Sequence, residues 1–246
     1  MHTLFTDRST TPSSPSIMDV FKKKKTIMDY FGPAKPKSTT VATVSSTPTQ
    51  TPSAPTVVFC EPRTEQEKAI QYFVFTDGSQ IRENRTHKSL SVSWAYVVKR
   101  RDNHSSGSVV HRDCGELPKT ETNQRAELLS IYNALLWCEQ NLSDPRYDLN
   151  VYSDSDYSIK CLTLWVHAWK RAGWKNANRK PVKHRDIIEP CFELMERLKR
   201  TAGHRVVLTH IRSHTNNTDF FANGNAEADQ MASGVSKAAL ARQRRA

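Results

Sequence analysis

Three apolar runs rich in β-branched and aromatic residues succeed one another before any helical periodicity begins: "QYFVFTDG" (71–78), "SVSWAYVV" (91–98) and "SVVHRDCG" (108–115). The middle run alternates, with Val92, Trp94, Tyr96 and Val98 on one face, as a strand with one buried side would. Short connections point to antiparallel pairing of all three. The period then changes. Leu128, Ile131, Tyr132 and Leu135 recur at helical spacing, just after Thr122 and Asn123, two good capping residues. A strand "DLNVYSD" (148–154), a helix from about Ser155 and a basic stretch "WKRAGWKNANRKPVKHR" (169–185) follow. A helix with Ile188, Cys191, Phe192, Met195 and Leu198 on one side, a strand "HRVVLTHI" (204–211) and a last helix from about Asn225 complete the order. An antiparallel start followed by strand–helix alternation predicts an α/β fold with a mixed sheet covered by helices.

That body begins abruptly. Eight of the twelve prolines lie at or before Pro62, and "STTVATVSSTPTQTPSAPT" has no aromatic residue to seed a core. Residues 1–68 are therefore expected to be a disordered tail, 69–241 the folded domain and 242–246 a basic end. Within the tail, "SIMDVF" and "TIMDYF" flank four lysines, Lys22 to Lys25. In the second copy (26–33), Ile27, Tyr30 and Phe31 would form one apolar plug on a single helical turn. The segment 24–31 resembles the sliding-clamp binding peptide known as a PIP box, with Lys24 where that motif usually has glutamine. The competing reading is incidental hydrophobics, and the lysine run also suits nuclear import or a phosphate contact. The nucleus is the expected compartment, the mitochondrion the alternative, and a monomer the expected state. The net charge of +11 favours a polyanionic partner such as nucleic acid or a membrane surface. No apolar run approaches the ~20 residues that would span a bilayer. Five scattered cysteines without a C-x-x-C pair argue against a zinc site or a disulfide framework and fit reduced thiols.

The acidic residues fall at the ends of these elements. Asp77 closes the first strand, in "FTDGS", and Asp154 the fourth, in "VYSDSD". Glu127 lies in the first turns of the opening helix, bordering its apolar stripe, and Asp229 in the first turns of the last, in "NAEADQMA". If the first and fourth strands are neighbours, two strand-end carboxylates converge, and helices packed on the sheet can each add another. Two ionised carboxylates about 4 Å apart repel by about 4 kcal/mol at an effective dielectric near 20. Such a cluster therefore raises its own pKa values unless a cation neutralises it. Oxygen-only ligands suit Mg²⁺ or Mn²⁺, and two such ions can drive phosphodiester hydrolysis. Taken singly, a strand-ending aspartate is more often a turn residue or a cap.

The ordered set "FTDGS", "TNQRAEL", "VYSDSDYSIKCLTLWV", "WKRAGWK", a late "SHT" and "NAEADQMA" resembles type 1 ribonuclease H, over about Gln71–Ala239. That resemblance implies a ribonuclease H-like fold, a five-stranded mixed sheet flanked by helices. It implies Asp77, Glu127, Asp154 and Asp229 as ligands of two Mg²⁺ ions, with Mn²⁺ as a substitute. The implied reaction is endonucleolytic hydrolysis of the RNA strand of an RNA–DNA hybrid, leaving 3′-hydroxyl and 5′-phosphate ends, in removal of primers or R-loops during replication. His214 matches the family's mobile histidine, and Asn123 and Gln124 match the positions that read RNA through 2′-hydroxyls, with Asn84 a further hybrid contact. The basic stretch is similar to the family's DNA-gripping protrusion. Tyr157, Trp165, Trp169 and Trp174 would stack against that strand, and Lys175 and Lys180 would meet phosphates. Trp169 also completes a core stripe with Ile159, Leu162 and Val166, so packing is its second reading.

Thr122 and His184 fall in the family's DNA-phosphate pocket, where His184 replaces the usual asparagine and Thr120 stands where many members have arginine. A protonated His184 would make that contact pH-dependent. Ser213 replaces a common glycine, and the loop "HTNNTDFFANGN" is longer than usual. Asp156 has no counterpart among the family's catalytic acids and is expected to cap a helix start. Two rivals remain at this level: a resolvase- or integrase-like nuclease, which "TNQRAE" opposes, and a non-catalytic hybrid-binding or clamp-associated adaptor, which the four carboxylates oppose.

Overall fold

The computed structural model describes residues 70–101, 107–144, 146–202, 204–212 and 219–245. The expected clamp peptide, with Ile27, Tyr30 and Phe31, and His214 lie outside those residues. Strands β1 (Ile70–Arg82), β2 (Ser89–Arg101) and β3 (Ser108–Leu117) come first, then helix α1 (Asn123–Asn141) and strand β4 (Tyr147–Ser153). Helix α2 (Asp156–Lys160) runs through a π-helical turn, Cys161–Trp165, into α3 (Val166–Arg171). Helix α4 (Arg185–Ala202), strand β5 (Arg205–His210) and helix α5 (Phe220–Gln243) complete the fold.

The five strands form one sheet in the order β3-β2-β1-β4-β5. The first three pair antiparallel, as their short connections required, while β1–β4 and β4–β5 are parallel. Two helices sandwich the sheet. Gly78 abuts the backbone of Ala126 and Glu127 on α1, and Phe75 abuts Gly224 on α5. Residues 75 and 78 lie on opposite faces of a strand, so α1 and α5 do too.

This layering corrects the single buried face expected for the second strand. Val92, Tyr96 and Val98 are buried, but so are Ala95 and Val97. Both faces of the sheet carry a helix, so alternation records the chemistry of only one side. The α1 stripe places Leu128, Ile131 and Leu135 in the core, with Tyr132 half-buried at its margin.

Two helix starts also differ from expectation. Helix α5 begins at Phe220, not near Asn225, because Asp219 caps it by accepting from the Phe221 and Ala222 amides. Phe220 and Phe221 then pack with Phe73, Phe75 and Tyr152, which explains two aromatic residues in what reads as a loop. Asp229 consequently lies in the third turn of its helix, not the first. At α2 the capping side chain is Ser155, which accepts from the Ser158 amide, while Asp156 pairs with Lys160 at 2.7 Å. The α5 helix runs on to Gln243, so the basic end begins inside its last turn. No helix among the described residues is long and apolar enough to cross a membrane.

Candidate active site

Strand register brings the first two carboxylates together. Thr76 pairs with Ser153 across the parallel β1–β4 ladder, so Asp77 and Asp154 come one step later on adjacent chains. Glu127 comes from the second turn of α1. Its approach depends on Gly78, where an added Cβ would stand 2.6 Å from the Glu127 amide nitrogen and 2.9 Å from the Ala126 carbonyl carbon. Any side chain there would push α1 off the sheet. Asp77, expected to close the first strand, lies inside β1, which runs on to Arg82, and the glycine after it was the available signal for this contact.

One carboxylate oxygen each from Asp77, Glu127 and Asp154 lies within 4.8 Å of the others. Asp229 is not in that group, although its charge still reaches Asp77 from α5. Asp77 and Glu127 are 5% and 6% exposed, too dry for carboxylates to be screened by water. Burial first, then the Asp154 and Asp229 charges, push the Asp77 carboxyl up to about 8, against an opposing backbone hydrogen bond at Gly78. Glu127 is raised well above its ordinary value, again by burial first and then by Asp77 and Asp154. Asp77 Oδ2 and Glu127 Oε2 are buried without a hydrogen-bond partner, whereas Glu127 Oε1 accepts from Asn123 Nδ2 at 3.2 Å. Converging acceptor-only oxygens, two of them orphaned, fit a hard, oxygen-seeking cation.

The remaining expected residues divide between those gathered near this cluster and those placed elsewhere. Thr122 is the N-cap of α1, its hydroxyl accepting from the Arg125 amide at 3.3 Å, and Gln124 is exposed on the first turn. Asn84 sits in the turn between β1 and β2, exposed. The aromatic track is real. Tyr157 and Trp165 rings lie 6.1 Å apart, Trp165 and Trp169 5.7 Å, and Tyr157 and His184 6.2 Å. Leu162 and Val166 take the core side, while Trp165 and Trp169 stay half-exposed. Trp174 differs from expectation: it is buried, with the Arg185 guanidinium 5.0 Å over its ring, so it braces the basic stretch and offers no open face. Lys175 and Lys180 are exposed on a small hairpin closed by a Lys175–Pro181 bridge.

One contact went unread in the sequence. Arg125 donates to both carboxylate oxygens of Asp186, at 2.9 and 2.8 Å, and pairs with Glu121 at 2.6 Å. It thereby ties the first turn of α1 to the start of α4, where the basic stretch ends. His184 lies beside this pair. Burial and the Arg125 charge push its imidazole below the ordinary histidine value, which disfavours the protonated ring. A long-range ion pair of this kind leaves no local signature in the sequence.

A parallel strand pair delivering two aspartates, with a helix glutamate closing over them on a sheet ordered β3-β2-β1-β4-β5, is the arrangement of the ribonuclease H-like fold. The chain belongs to the RNase H family, whose model matches residues 69–237. A curated relative, the ribonuclease H of Schizosaccharomyces pombe, is 36% identical over 159 residues, covering 65% of this chain and 50% of that protein. The chain thus spans about half the length of that relative. The solution structure of the PFV RNase H domain superposes with a TM-score of 0.54 at 22% identity, covering 70% of this chain and 98% of that one. A foamy viral protease-reverse transcriptase in complex with an RNA/DNA hybrid gives 0.51 at 21% identity, covering 76% of this chain and 22% of that one. At those identities the two structures speak for the fold.

Proposed function

We propose that this chain is an endonuclease that hydrolyses the RNA strand of RNA–DNA hybrids, with Asp77, Glu127, Asp154 and Asp229 holding two divalent cations. The observation that carries the reading is the carboxylate cluster, in which burial and neighbouring charge push Asp77 and Glu127 well above the ordinary carboxylate range and leave one oxygen of each unpartnered. Family membership and a fold shared with a hybrid-bound reverse transcriptase support the substrate. Bound Mg²⁺, or Mn²⁺ in its place, would supply Lewis acidity at the phosphate and lower the pKa of the attacking water.

The chain's own residues do the rest. Asp77 and Asp154 arrive on rigid neighbouring strands, which fixes their spacing before substrate binds. Asn123 steadies Glu127 through its amide, and with Gln124 it presents groups able to donate to and accept from a 2′-hydroxyl. The half-exposed Trp165 and Trp169 offer faces for sugars of the DNA strand, and Lys175 and Lys180 offer charge for its phosphates. In this reading the 24–31 segment recruits the enzyme to a replication clamp in the nucleus, so a Tyr30/Phe31 double alanine variant should lose retention on immobilised clamp.

The decisive experiment is digestion of a labelled hybrid, duplex DNA and duplex RNA, with and without Mg²⁺. Cleavage confined to the RNA of the hybrid and dependent on the ion is expected. Asp154→Asn should abolish that cleavage while leaving hybrid binding within a few-fold of wild type. Cleavage retained by this variant would remove Asp154 from the mechanism.

A further inference from the structure

The basic end of the chain and the cations around the β1–β2 turn have no role in the site above, and the fold places the two segments side by side. Helix α5 lies across β1 and β2. Gly224 packs on Phe75, Asp229 reaches Asp77, Ser236 Oγ donates to the Ser79 carbonyl at 3.5 Å, and Gln243 Nε2 donates to the Leu90 carbonyl at 3.5 Å. Leu90 adjoins the rung in which Ser89 pairs with Arg82. The last turn of α5 therefore ends beside the β1–β2 turn.

Six cations lie on these two neighbouring segments: Arg82, Arg85 and Lys88 at the turn, and Arg242, Arg244 and Arg245 at the helix end. All six are exposed. Two carboxylates face them. Glu116 pairs with Arg242 at 2.7 Å, and Glu83 is occupied locally by the Thr86 hydroxyl. Among the described residues no acid pairs with Arg85, Lys88, Arg244 or Arg245. The turn itself is set, with the Glu83 amide donating to the Lys88 carbonyl and the His87 amide to the Glu83 carbonyl, each at 2.9 Å. Its cations are thus held on a fixed scaffold. The surface is also separate from the 169–185 stretch, because α5 covers β1, β2 and β3 on one face of the sheet, whereas α4 packs chiefly on α1, which covers the other face.

We propose that Arg85, Lys88, Arg244 and Arg245 form a second phosphate-binding surface, which engages the backbone of the nucleic-acid duplex beyond the cleavage site. Distance fits this assignment. From Asp77 to Arg82 is five strand residues, roughly 17 Å at the usual rise. At about 3.4 Å per phosphate along one strand, the surface would meet the backbone roughly five nucleotides from the carboxylates. Exposed cations without acidic partners suit phosphates and no particular base, so the contact would extend the footprint without adding sequence preference. The identity of the duplex as a hybrid rests on the function proposed above; the charge argument does not.

The test compares wild type with the quadruple variant Arg85→Ala/Lys88→Ala/Arg244→Ala/Arg245→Ala, all at exposed positions, after confirming equal melting temperatures. Affinity for hybrids of about 24 and about 8 base pairs is measured in EDTA across a salt series, and cleavage of both in Mg²⁺. The variant should bind the long hybrid roughly 10–100-fold more weakly at low salt. Its log–log salt slope should be shallower by about two to four, at roughly 0.9 per lost phosphate contact. The short hybrid should be bound and cleaved as by wild type. An unchanged slope on the long hybrid, or an equal loss on both lengths, would overturn the surface. Failure of the wild type to cleave either hybrid would sink the nuclease reading instead, and the salt slopes would still decide the surface.

Discussion

A carboxyl group that titrates near 8 in the fold and near 3.8 in the open chain binds its proton more tightly when folded. The native state then carries more protons than the unfolded state across that whole interval, so stability falls as pH rises through it. Glu127 contributes with the same sign, since its carboxyl is also raised. The ion-free protein should therefore lose stability, on the order of a few kcal/mol, between about pH 4 and pH 8. Asp77→Asn should flatten that decline and leave the variant more stable than wild type at pH 8 without metal. Thermal melts in EDTA at half-unit pH steps would read this directly, and a wild-type midpoint that stays level from pH 5 to 8.5 would contradict it. Adding Mg²⁺ should restore the midpoint most at the alkaline end, because the ion binds the deprotonated cluster.

The small hairpin of the basic stretch shows how local strain can be tied to binding. Arg179 has φ of 58°, in the left-handed region where a side chain costs about 1–2 kcal/mol, and it is exposed. Arg179→Gly should stabilise the protein by about 0.5–1 kcal/mol, after the extra freedom glycine gives the unfolded chain, while weakening hybrid binding through the lost charge. A denaturant titration with an unchanged midpoint would refute the strain. At this scale the succession of strands and most helices along the chain was legible, since period and punctuation are local properties, whereas the adjacency of β1 and β4 entered only as a condition. Two lapses have a physical cause. The α5 start was misplaced because Phe220 and Phe221 sit just after the Asp219 cap in polar surroundings, and their burial is decided by Phe73 and Phe75, some 150 residues away. Trp174, a DNA-strand platform by the family resemblance, is instead buried with its ring covered by Arg185, a partner no local pattern announces. Of the site, the three clustered carboxylates could be named, although Asp77 falls inside a strand that runs past its apolar stretch to Arg82. Arg125–Asp186 and the Gly78 approach could not, because each depends on a partner far along the chain.

Across the molecule, stability should be unevenly distributed. Strands β1, β2 and β4 are buried on both faces, while residues 175–181 are almost wholly exposed and held by a few backbone bonds. Native-state hydrogen exchange should find the slowest amides in β1, β4 and the α1 core stripe, and the fastest regular ones in the 175–182 hairpin. Comparable protection in both regions would mean that the hairpin unfolds only with the whole domain. The sandwich has a further consequence for when catalysis can begin. Asp77 is contributed by an early strand, but Asp229 comes on the final helix, and Gly224 must seat on Phe75 before that helix lies down. A growing chain can therefore gather Asp77, Glu127 and Asp154 while Asp229 is still to come. Under the function proposed above, cleavage would wait for α5 to dock.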